Sequence, residues 1–383
     1  MPAPAFQASD ATTVTLADGR VLVSFGGCNY LGLASHPAVV DAVRGALEVF
    51  GLSATASRET TGNATPHESL ERELADFLRV ERVLLVPDGY IANIAACQGF
   101  AGRGVSVALI DERGHASLAD AARTAGLRIV RYDHASPESV AEALRTARPS
   151  AAVVMTDGVF TADGELAPVA NLLGELGPSD WLLVDDCHGL GTVGRGGRGS
   201  ASEAGLDDPR VVVTSSLAKG LGGAGGIVAG SDLFVTRCHR SSGYICTTPI
   251  APALAEGTRE ALRVLRAEPG LLDTLHANAE QLRSGLRRLG LISDTDERTT
   301  PLAAFTIGDT PTMERLASGL LEDGYRVPLI RYPGGPAEAY FRLSVNAAHT
   351  GEQIDGLLHA FERRLSSETH LPTATATVQH TPR

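Results

Sequence analysis

Lys219 lies within a stretch of the chain that is rich in glycine and in hydroxyl side chains. The apolar run 211–213 predicts a short strand, a Thr-Ser-Ser run (214–216) follows it, and glycines stand at 220, 222, 223, 225 and 226. Glycine lets a backbone approach a ligand closely, and neighbouring free N–H groups suit an anion. The stretch is therefore typical of a site where a lysine forms a Schiff base with a carbonyl cofactor and the serine and glycine residues hold its phosphate. A surface lysine on a glycine-rich turn explains this stretch equally well.

Other residues that could react with or contact a ligand come directly after predicted strands. They are Asp88, Gly89 and Tyr90 after the first strand, Asp111 and His115 after the second, residues 156–161 after the fourth, Asp185, Asp186 and His188 after the fifth, and Ser216 and Lys219 after the sixth. In open α/β sheets, ligands bind beyond the carboxyl ends of the strands, so we expect these groups to meet at one edge. A single buried histidine or aspartate is more often structural, but several such groups at one edge favour an active site.

The chemistry of a pyridine cofactor assigns roles to four of these residues. A pyridine ring withdraws electrons best when its nitrogen stays protonated, and Asp185, a carboxylate at a strand end, is placed to keep it so. His115 is placed to stack on the ring face, and His188 to donate to the ring oxygen. Lys219 would carry the Schiff base and later act as the base at the substrate Cα, and both tasks need a neutral amine.

An alternation of strands and helices must position these residues. Strands are predicted at 83–87, 105–111, 128–132, 151–156, 181–186, 211–215 and 227–229, and helices lie between most of them, for example at 91–99, 117–125 and 137–146. Strands that are apolar throughout and separated by helices predict a mainly parallel, seven-stranded sheet that is covered on both faces. The predicted fold class is therefore α/β, with a large ligand-binding domain built on this sheet.

The segments outside the sheet complete the predicted organisation. Before the sheet we expect a loose arm over 1–20, helices at 38–50 and 67–78, and a polar loop at 55–67 in which Arg58 is available to an anion. After the sheet we expect helices at 252–266, 271–289 and 351–365 and strands at 303–307, 326–330 and 339–345. The predicted division is an N-terminal arm and segment (1–45), a large domain (46–250), a small α+β C-terminal domain (251–365) and a disordered tail (366–383).

Charge and composition exclude several classes of protein. The net charge is −12 and no block of basic residues stands out, which argues against nucleic acid or an anionic membrane as a partner. No apolar run approaches the roughly 18 residues of a membrane span, and the N-terminus lacks the pattern of a signal peptide. The five cysteines are odd in number and lack a zinc spacing, so we expect no metal site and a cytoplasmic protein with reduced thiols.

These motifs, in this order, resemble those of the α-oxoamine synthases, which are fold-type I enzymes that use pyridoxal 5′-phosphate (PLP). The resemblance covers most of the chain and rests on NYLGL (29–33), SR (57–58), GYIAN (89–93), DERGHASLAD (111–120) and VFTADGELAP (159–168). The most specific motifs are VDDCHGLGTVG (184–194), SLAKGLGGAGG (216–226) and FRLSVNAAHT (341–350). Lys219 follows Asp185 at a spacing similar to that of the family.

The resemblance implies a role for each matching residue. The implied cofactor contacts are Gly89, Tyr90, His115 (ring face), Thr161 and His188 (ring oxygen), Asp185 (ring nitrogen), Ser216 (phosphate), Lys219 (Schiff base) and Thr248 (phosphate of a neighbouring subunit). Thr248 thereby implies a homodimer with shared active sites. Arg342 matches the arginine that holds the amino-acid carboxylate, for which a guanidinium fork is well suited. Asn29 and Arg58 are also implied to contact the substrate.

The implied activity is an acyl transfer in which Lys219, His115, Asp185 and His188 are catalytic. The family condenses a small α-amino acid with an acyl thioester, on coenzyme A or an acyl carrier protein, and releases carbon dioxide to give an α-amino ketone. The chain departs from the family pattern at 53–58, where glycines are usual, and at Asp88, where serine is usual, so the acyl donor stays open. Another fold-type I reaction, such as aldol cleavage or transamination, and a non-catalytic partner subunit are alternatives.

Overall fold

The computed structural model describes residues 5–147, 150–202, 208–332 and 335–367. It has two compact units. Among the described residues, the large unit comprises those within 33–161 and 166–269, and the small unit comprises those within 1–32, 162–165 and 270–383. The predicted domain boundaries at residues 45, 250 and 365 stay predictions. Nearly all of the tail predicted at 366–383 lies outside the described residues.

The regular elements alternate between strands and helices through the large unit. The strands are β1 (Phe6–Ser9), β2 (Thr13–Leu16), β3 (Val21–Ser24), β4 (Arg82–Val86), β5 (Val107–Asp111), β6 (Arg128–Tyr132), β7 (Ala152–Asp157), β8 (Trp181–Asp185), β9 (Val211–Ser216), β10 (Gly226–Gly230), β11 (Leu302–Phe305), β12 (Tyr325–Arg326), β13 (Leu329–Ile330) and β14 (Tyr340–Ser344). The helices are α1 (Pro37–Phe50), α2 (Thr65–Leu78), α3 (Gly89–Ala101), α4 (Ala116–Thr124), α5 (Pro137–Ala147), α6 (Val169–Gly174), α7 (Asp232–Cys238), α8 (Ser242–Ile245), α9 (Pro252–Ala267), α10 (Gly270–Arg288), α11 (Thr310–Glu322) and α12 (Gly351–Ser367).

The large unit is built on a seven-stranded sheet with the order β4-β10-β9-β8-β7-β5-β6. Neighbouring strands run parallel except at β10, which is antiparallel to both β4 and β9. Strands β5, β7 and β10 are buried at every position, as expected where helices cover both faces of a sheet. The predicted α/β fold with a mainly parallel seven-stranded sheet is confirmed.

Strand register brings polar side chains together at the carboxyl edge of this sheet. Asp157, the last residue of β7, lies beside Asp185, the last residue of β8. Asp185 in turn lies beside Thr214 of β9. All three residues are buried, so the sheet holds two carboxyl groups and a hydroxyl in adjacent positions.

Two helices begin at the same carboxyl edge. Helix α3 follows β4, and its N-cap Asp88 accepts a hydrogen bond from Ile91 N at 2.8 Å. Helix α4 follows β5, and its N-cap His115 accepts from Ser117 N at 3.1 Å. Capping residues satisfy N–H groups that the first helical turn leaves without a partner. The carboxylate of Asp88, which the family pattern made unexpected, therefore has a structural partner.

The prediction of a loose arm over 1–20 is wrong, because two strands form there. Strands β1 and β2 join β3 and β12 in a four-stranded sheet of the small unit. Val14 and Leu16 are buried and pack in one cluster with Leu22. The alternation of threonine with apolar residues over 13–16 has the two-residue period of a half-buried strand, which the alanine- and threonine-rich composition concealed.

The predicted single strand at 326–330 is also wrong. It is two short strands: β12 pairs with β3, and β13 pairs with β14 in a separate three-stranded sheet. Pro328 lies between them, and proline lacks the N–H that a continuous strand would use. The core of the small unit contains Phe305, Phe341 and Phe361, whose ring centroids lie 5.6–6.0 Å apart.

Over the described ranges, no helix is long and apolar enough to cross a membrane. Within the same ranges, no group of three or more His, Cys, Asp or Glu side chains has the arrangement of a metal site. The five cysteines are free thiols.

Candidate active site

A cavity of about 240 Å³ lies in the large unit at the carboxyl edge of the sheet. Eight of the nine residues predicted to bind the cofactor line it: Gly89, Tyr90, His115, Thr161, Asp185, His188, Ser216 and Lys219. The remaining lining residues, which had no assigned role, are Asp88, Ser117, Asp157, Val159 and Cys187. The fold therefore brings side chains that are distant in sequence into one place.

The amine of Lys219 lies 2.8 Å from Nε2 of His188. The loop that carries Lys219 leaves β9 and returns as β10, and it is closed by hydrogen bonds from Leu217 N to Gly225 O and from Gly222 N to Lys219 O, both 2.9 Å. Lys219 is also the single lysine in a chain with 33 basic residues. Because the chain has one lysine, it offers one candidate for a Schiff base to a lysine side chain.

The segment after β8 packs directly against the lysine loop. A Cβ added at Gly220 would lie 2.1 Å from the carbonyl oxygen of Leu190 and 3.1 Å from Cα of Gly191, so only glycine fits there. Asp186 holds this segment, because its carboxylate accepts from Ser200 N at 2.8 Å and from Ser200 Oγ at 2.9 Å. Burial raises the pKa of Asp186 to about 7. Asp186 does not line the cavity.

Asp185 is held by two N–H donors. Asn93 Nδ2 donates to its Oδ2 at 2.7 Å, and Cys187 N donates to its Oδ1 at 3.2 Å. Asn93 is itself fixed, since its Oδ1 accepts from Thr214 Oγ1 at 2.6 Å and its Nδ2 also donates to Ser117 Oγ at 2.9 Å. Donors of this kind favour the ionised carboxylate and orient it.

Asn93→Ala should weaken cofactor binding by about tenfold, because Asp185 then loses its shorter donor and buried Thr214 loses an acceptor. Equilibrium titration of the protein with PLP measures the change. Gln98→Ala is the matched control, since Gln98 is an amide on the same helix whose partner is the exposed Ser242. Wild-type affinity in Asn93→Ala would show that Asp185 needs no support from α3.

His115 presents a neutral ring at the cavity. Its Nδ1 lies 2.7 Å from Ser117 Oγ, and its backbone N donates to Asp157 Oδ1 at 3.0 Å. Burial lowers the pKa of His115, which keeps the imidazole uncharged at neutral pH. An uncharged imidazole held at both its backbone and its Nδ1 is suited to stacking on a flat ring.

Another part of the cavity lining, at the start of α3, suits a phosphate. Gly89 and Tyr90 are the first two residues of α3, where N–H groups and the helix dipole favour an anion. A Cβ at Gly89 would lie 2.9 Å from Cys187 Sγ and 3.1 Å from Ser216 Cβ, so the glycine leaves room there. An amine, a carboxylate, a neutral ring, a hydroxyl and a helix N-terminus in one cavity match the chemical groups of PLP.

The remaining predicted site residues lie elsewhere. Arg58 was predicted to be available to an anion, but it donates to the Glu71 carboxylate from Nη1 at 2.5 Å and from Nη2 at 2.9 Å in a partly buried ion pair. Thr248 is exposed in the large unit. Asn29 and Arg342 belong to the small unit, Arg342 within β14. The substrate and partner roles of these residues stay predictions.

Sequence reasoning missed several residues of the cavity and its support. Asn93 lies in the GYIAN motif one helical turn after Gly89 and Tyr90, a spacing that places side chains on the same face of a helix. Asp157 ends β7 as Asp185 ends β8, so the strand-end rule indicated it without giving it a role. Cys187 lies between Asp185 and His188, which were both predicted to contact the cofactor.

Known proteins match this chain over a range that includes every residue of the cavity. The family described as aminotransferase class I and II matches residues 20–361. The 8-amino-7-oxononanoate synthase of Thioalkalivibrio sulfidiphilus is 39% identical over 92% of this chain and 91% of its own, and that of Methylococcus capsulatus is 39% identical over 94% and 93%. Serine palmitoyltransferase of Sphingomonas wittichii superposes with a TM-score of 0.88 at 28% identity, covering 95% of this chain and 92% of its own. A serine palmitoyltransferase from S. paucimobilis with a bound PLP–myriocin aldimine has the same TM-score and coverage at 26% identity.

Proposed function

Because the chain belongs to the aminotransferase class I and II family and, within it, to the PLP-dependent acyltransferases called α-oxoamine synthases, we propose that it makes 8-amino-7-oxononanoate. The observation that carries the proposal is the 39% identity to 8-amino-7-oxononanoate synthases over more than nine-tenths of both chains. Identity to serine palmitoyltransferases is lower, at 26–28%. The acyl donor is a thioester on coenzyme A or an acyl carrier protein, and the protein acts in the cytoplasm.

The carbon skeleton of the proposed product identifies its two substrates. 8-Amino-7-oxononanoate is a nine-carbon acid with a ketone next to the carbon that bears the amine. Breaking the bond between these two carbons leaves a seven-carbon pimeloyl unit and a two-carbon amine. The two-carbon amine is alanine without its carboxyl carbon. The reaction is therefore the condensation of alanine with a pimeloyl thioester, in which the thioester C–S bond breaks to release the carrier thiol and the alanine carboxyl group is lost as carbon dioxide.

The cavity residues would hold PLP in one orientation. Lys219 would form the Schiff base, Asp185 would face the ring nitrogen, and the N-terminus of α3 with Ser216 would bind the phosphate. His115 would cover one ring face, and Thr161 and His188 would contact the ring oxygen. When it is bound, PLP supplies an electron sink for the negative charge that develops at the amino-acid Cα.

Lys219 and His188 together can accept and hold the proton that leaves the alanine Cα. The Lys219 amine takes the proton from the alanine Cα, and the resulting ammonium donates to His188 Nε2, 2.8 Å away. His188 is 6% exposed, so this acceptor is largely shielded from water. Because the contact already exists, no side chain has to move far for the proton to be held.

Arg342 holds the alanine carboxylate in our proposal, so Arg342→Ala should raise the dissociation constant of alanine about 10- to 100-fold. A charge-assisted bidentate contact accounts for a loss of this size. PLP binding should change little, because the residues that line the cavity do not include Arg342. Spectroscopic titration of the PLP-loaded protein with alanine measures both. Arg331→Ala, an exposed arginine that pairs with Glu314, is the control, and unchanged alanine affinity in Arg342→Ala would move the carboxylate site elsewhere.

A second copy of the chain is the proposed partner. Thr248 is exposed in the single chain and matches a threonine that contacts the neighbouring subunit's phosphate in the family. A threonine hydroxyl with no role in its own cavity can serve a phosphate in the other subunit. Analytical ultracentrifugation of the PLP-loaded protein should give a dimer, and a monomer at micromolar concentration would contradict the shared site.

A substrate matrix tests the proposed function. The protein loaded with PLP is incubated with alanine, glycine or serine and with a pimeloyl or a palmitoyl thioester, and carbon dioxide release and the product mass are measured. Alanine with pimeloyl thioester should give the fastest release and the nine-carbon amino ketone. A preference for serine with palmitoyl thioester, or turnover of alanine that does not depend on a thioester, would contradict the proposal.

A further inference from the structure

The cavity holds a second carboxyl group that the chemistry above does not use. Asp157 is 3% exposed and lines the cavity together with Asp185, which is 6% exposed. The two residues are register partners at the ends of adjacent parallel strands. Two neighbouring carboxyl groups in a buried site rarely ionise together, because the charge on one raises the free energy of ionising the other.

Hydrogen-bond donors decide which member of the pair carries the charge. Asp185 accepts two N–H groups, from Asn93 at 2.7 Å and from Cys187 at 3.2 Å. Asp157 accepts one, from His115 N at 3.0 Å. Since N–H donors stabilise the ionised form, Asp185 is the better place for the charge.

The electrostatic surroundings of Asp157 agree with this assignment. Burial and then the charge of Asp185 raise the pKa of Asp157 well above its usual value. The N–H of His115 acts against these two effects, Asp111 on β5 acts with them, and the charge of Lys219 has the smallest effect and lowers the pKa. The neutral acid also keeps an O–H that can donate a hydrogen bond within the cavity.

We propose that Asp157 is a positioning residue that holds His115 through its backbone N–H and forms, with Asp185, a carboxyl pair in which Asp157 is the uncharged member. The proposal deepens the proposed function, since it rests on Asp185 as the charge partner of the ring nitrogen. A single negative charge on this pair matches a single protonated ring nitrogen. Two charges on the pair would disturb this match.

Comparison of two isosteric variants tests the assignment of charge. Asparagine resembles a neutral carboxylic acid in shape, so Asp157→Asn should keep the PLP dissociation constant within about threefold of wild type and preserve the absorption maximum of the bound cofactor. Asp185→Asn, the matched variant on the neighbouring strand, should shift the absorption spectrum. Asp157→Ala removes the acceptor for His115 N and should weaken PLP binding about tenfold. A spectral shift in Asp157→Asn as large as that in Asp185→Asn would overturn the proposal.

The pH dependence of unfolding gives a readout that does not depend on the reaction. A carboxyl group with a raised pKa in the folded protein binds its proton more tightly there than in the unfolded chain. The contribution of Asp157 to wild-type stability therefore falls as pH rises above the ordinary carboxyl pKa of 3.8. Asp157→Asn lacks this group, so its Tm minus that of wild type should grow from about pH 5 to about pH 8.

Asp180→Asn is the control for the unfolding series. Asp180 lies just before β8, at the opposite end of that strand from Asp185, and its carboxylate accepts from Ala152 N at 2.9 Å. Its Tm difference from wild type should not grow over this pH range. A difference for Asp157→Asn that stays constant or shrinks would overturn the proposal even if the substrate matrix supports the proposed function. Conversely, failure of the substrate matrix would leave the unfolding result unaffected.

Discussion

Lys219→Ala should lower the rate of acyl transfer by about 10⁴-fold or more. The substitution removes the amine that forms the Schiff base and the base that takes the Cα proton. No other lysine in the chain can replace it, because Lys219 is the single lysine. The measurement is carbon dioxide release from alanine and a pimeloyl thioester by the PLP-loaded protein.

Lys219→Arg separates the charge of this residue from its chemistry. A guanidinium keeps the positive charge near His188 but stays protonated, so it serves neither as a nucleophile nor as a base. We expect Lys219→Arg to be as inactive as Lys219→Ala while the cavity still binds PLP without a covalent link. Activity within tenfold of wild type in either variant would show that Lys219 is not the catalytic amine.

Asp185→Asn should slow removal of the alanine Cα proton by about 10²-fold or more. The amide keeps the shape of the carboxylate but no longer supports a protonated ring nitrogen, so the ring withdraws electrons less strongly. Exchange of the alanine Cα hydrogen in deuterated water, followed by NMR, measures this step without the thioester.

Asp186→Asn is the matched comparison for this step. Asp186 follows Asp185 in the sequence, but its carboxylate accepts hydrogen bonds from Ser200 and does not line the cavity. Its exchange rate should therefore fall less than about tenfold. A rate near wild type in Asp185→Asn together with a large loss in Asp186→Asn would exchange the roles of the two aspartates.

The fold of the large unit could be predicted because its signals are local. Apolar runs such as 152–157 and 181–185 are long enough to identify buried strands, and the glycine-rich loop with Lys219 marks the end of a third. The rule that ligands bind at carboxyl ends then brought Asp185 and Lys219 to one edge, as the structure has them.

The features that were missed depend on partners distant in sequence. Strand β2 forms because β3 pairs with it, and nothing in residues 1–20 alone identifies that partner. The prediction that Arg58 is available to an anion misses its partner Glu71, which lies on the following helix, where the sequence does not show which way a side chain points. Asn93 acquires its role through contacts with Asp185 and Thr214, which only the folded chain brings near.

The most direct test of the account is the mass of the intact protein after the PLP-loaded chain has been reduced with borohydride. Reduction fixes a Schiff base permanently, and a chain with a single lysine needs no peptide mapping to locate it. We expect one pyridoxyl group on each wild-type chain and none on Lys219→Ala. No pyridoxyl group on the wild type, or an equal amount on Lys219→Ala, would contradict the assignment of this cavity as the PLP site.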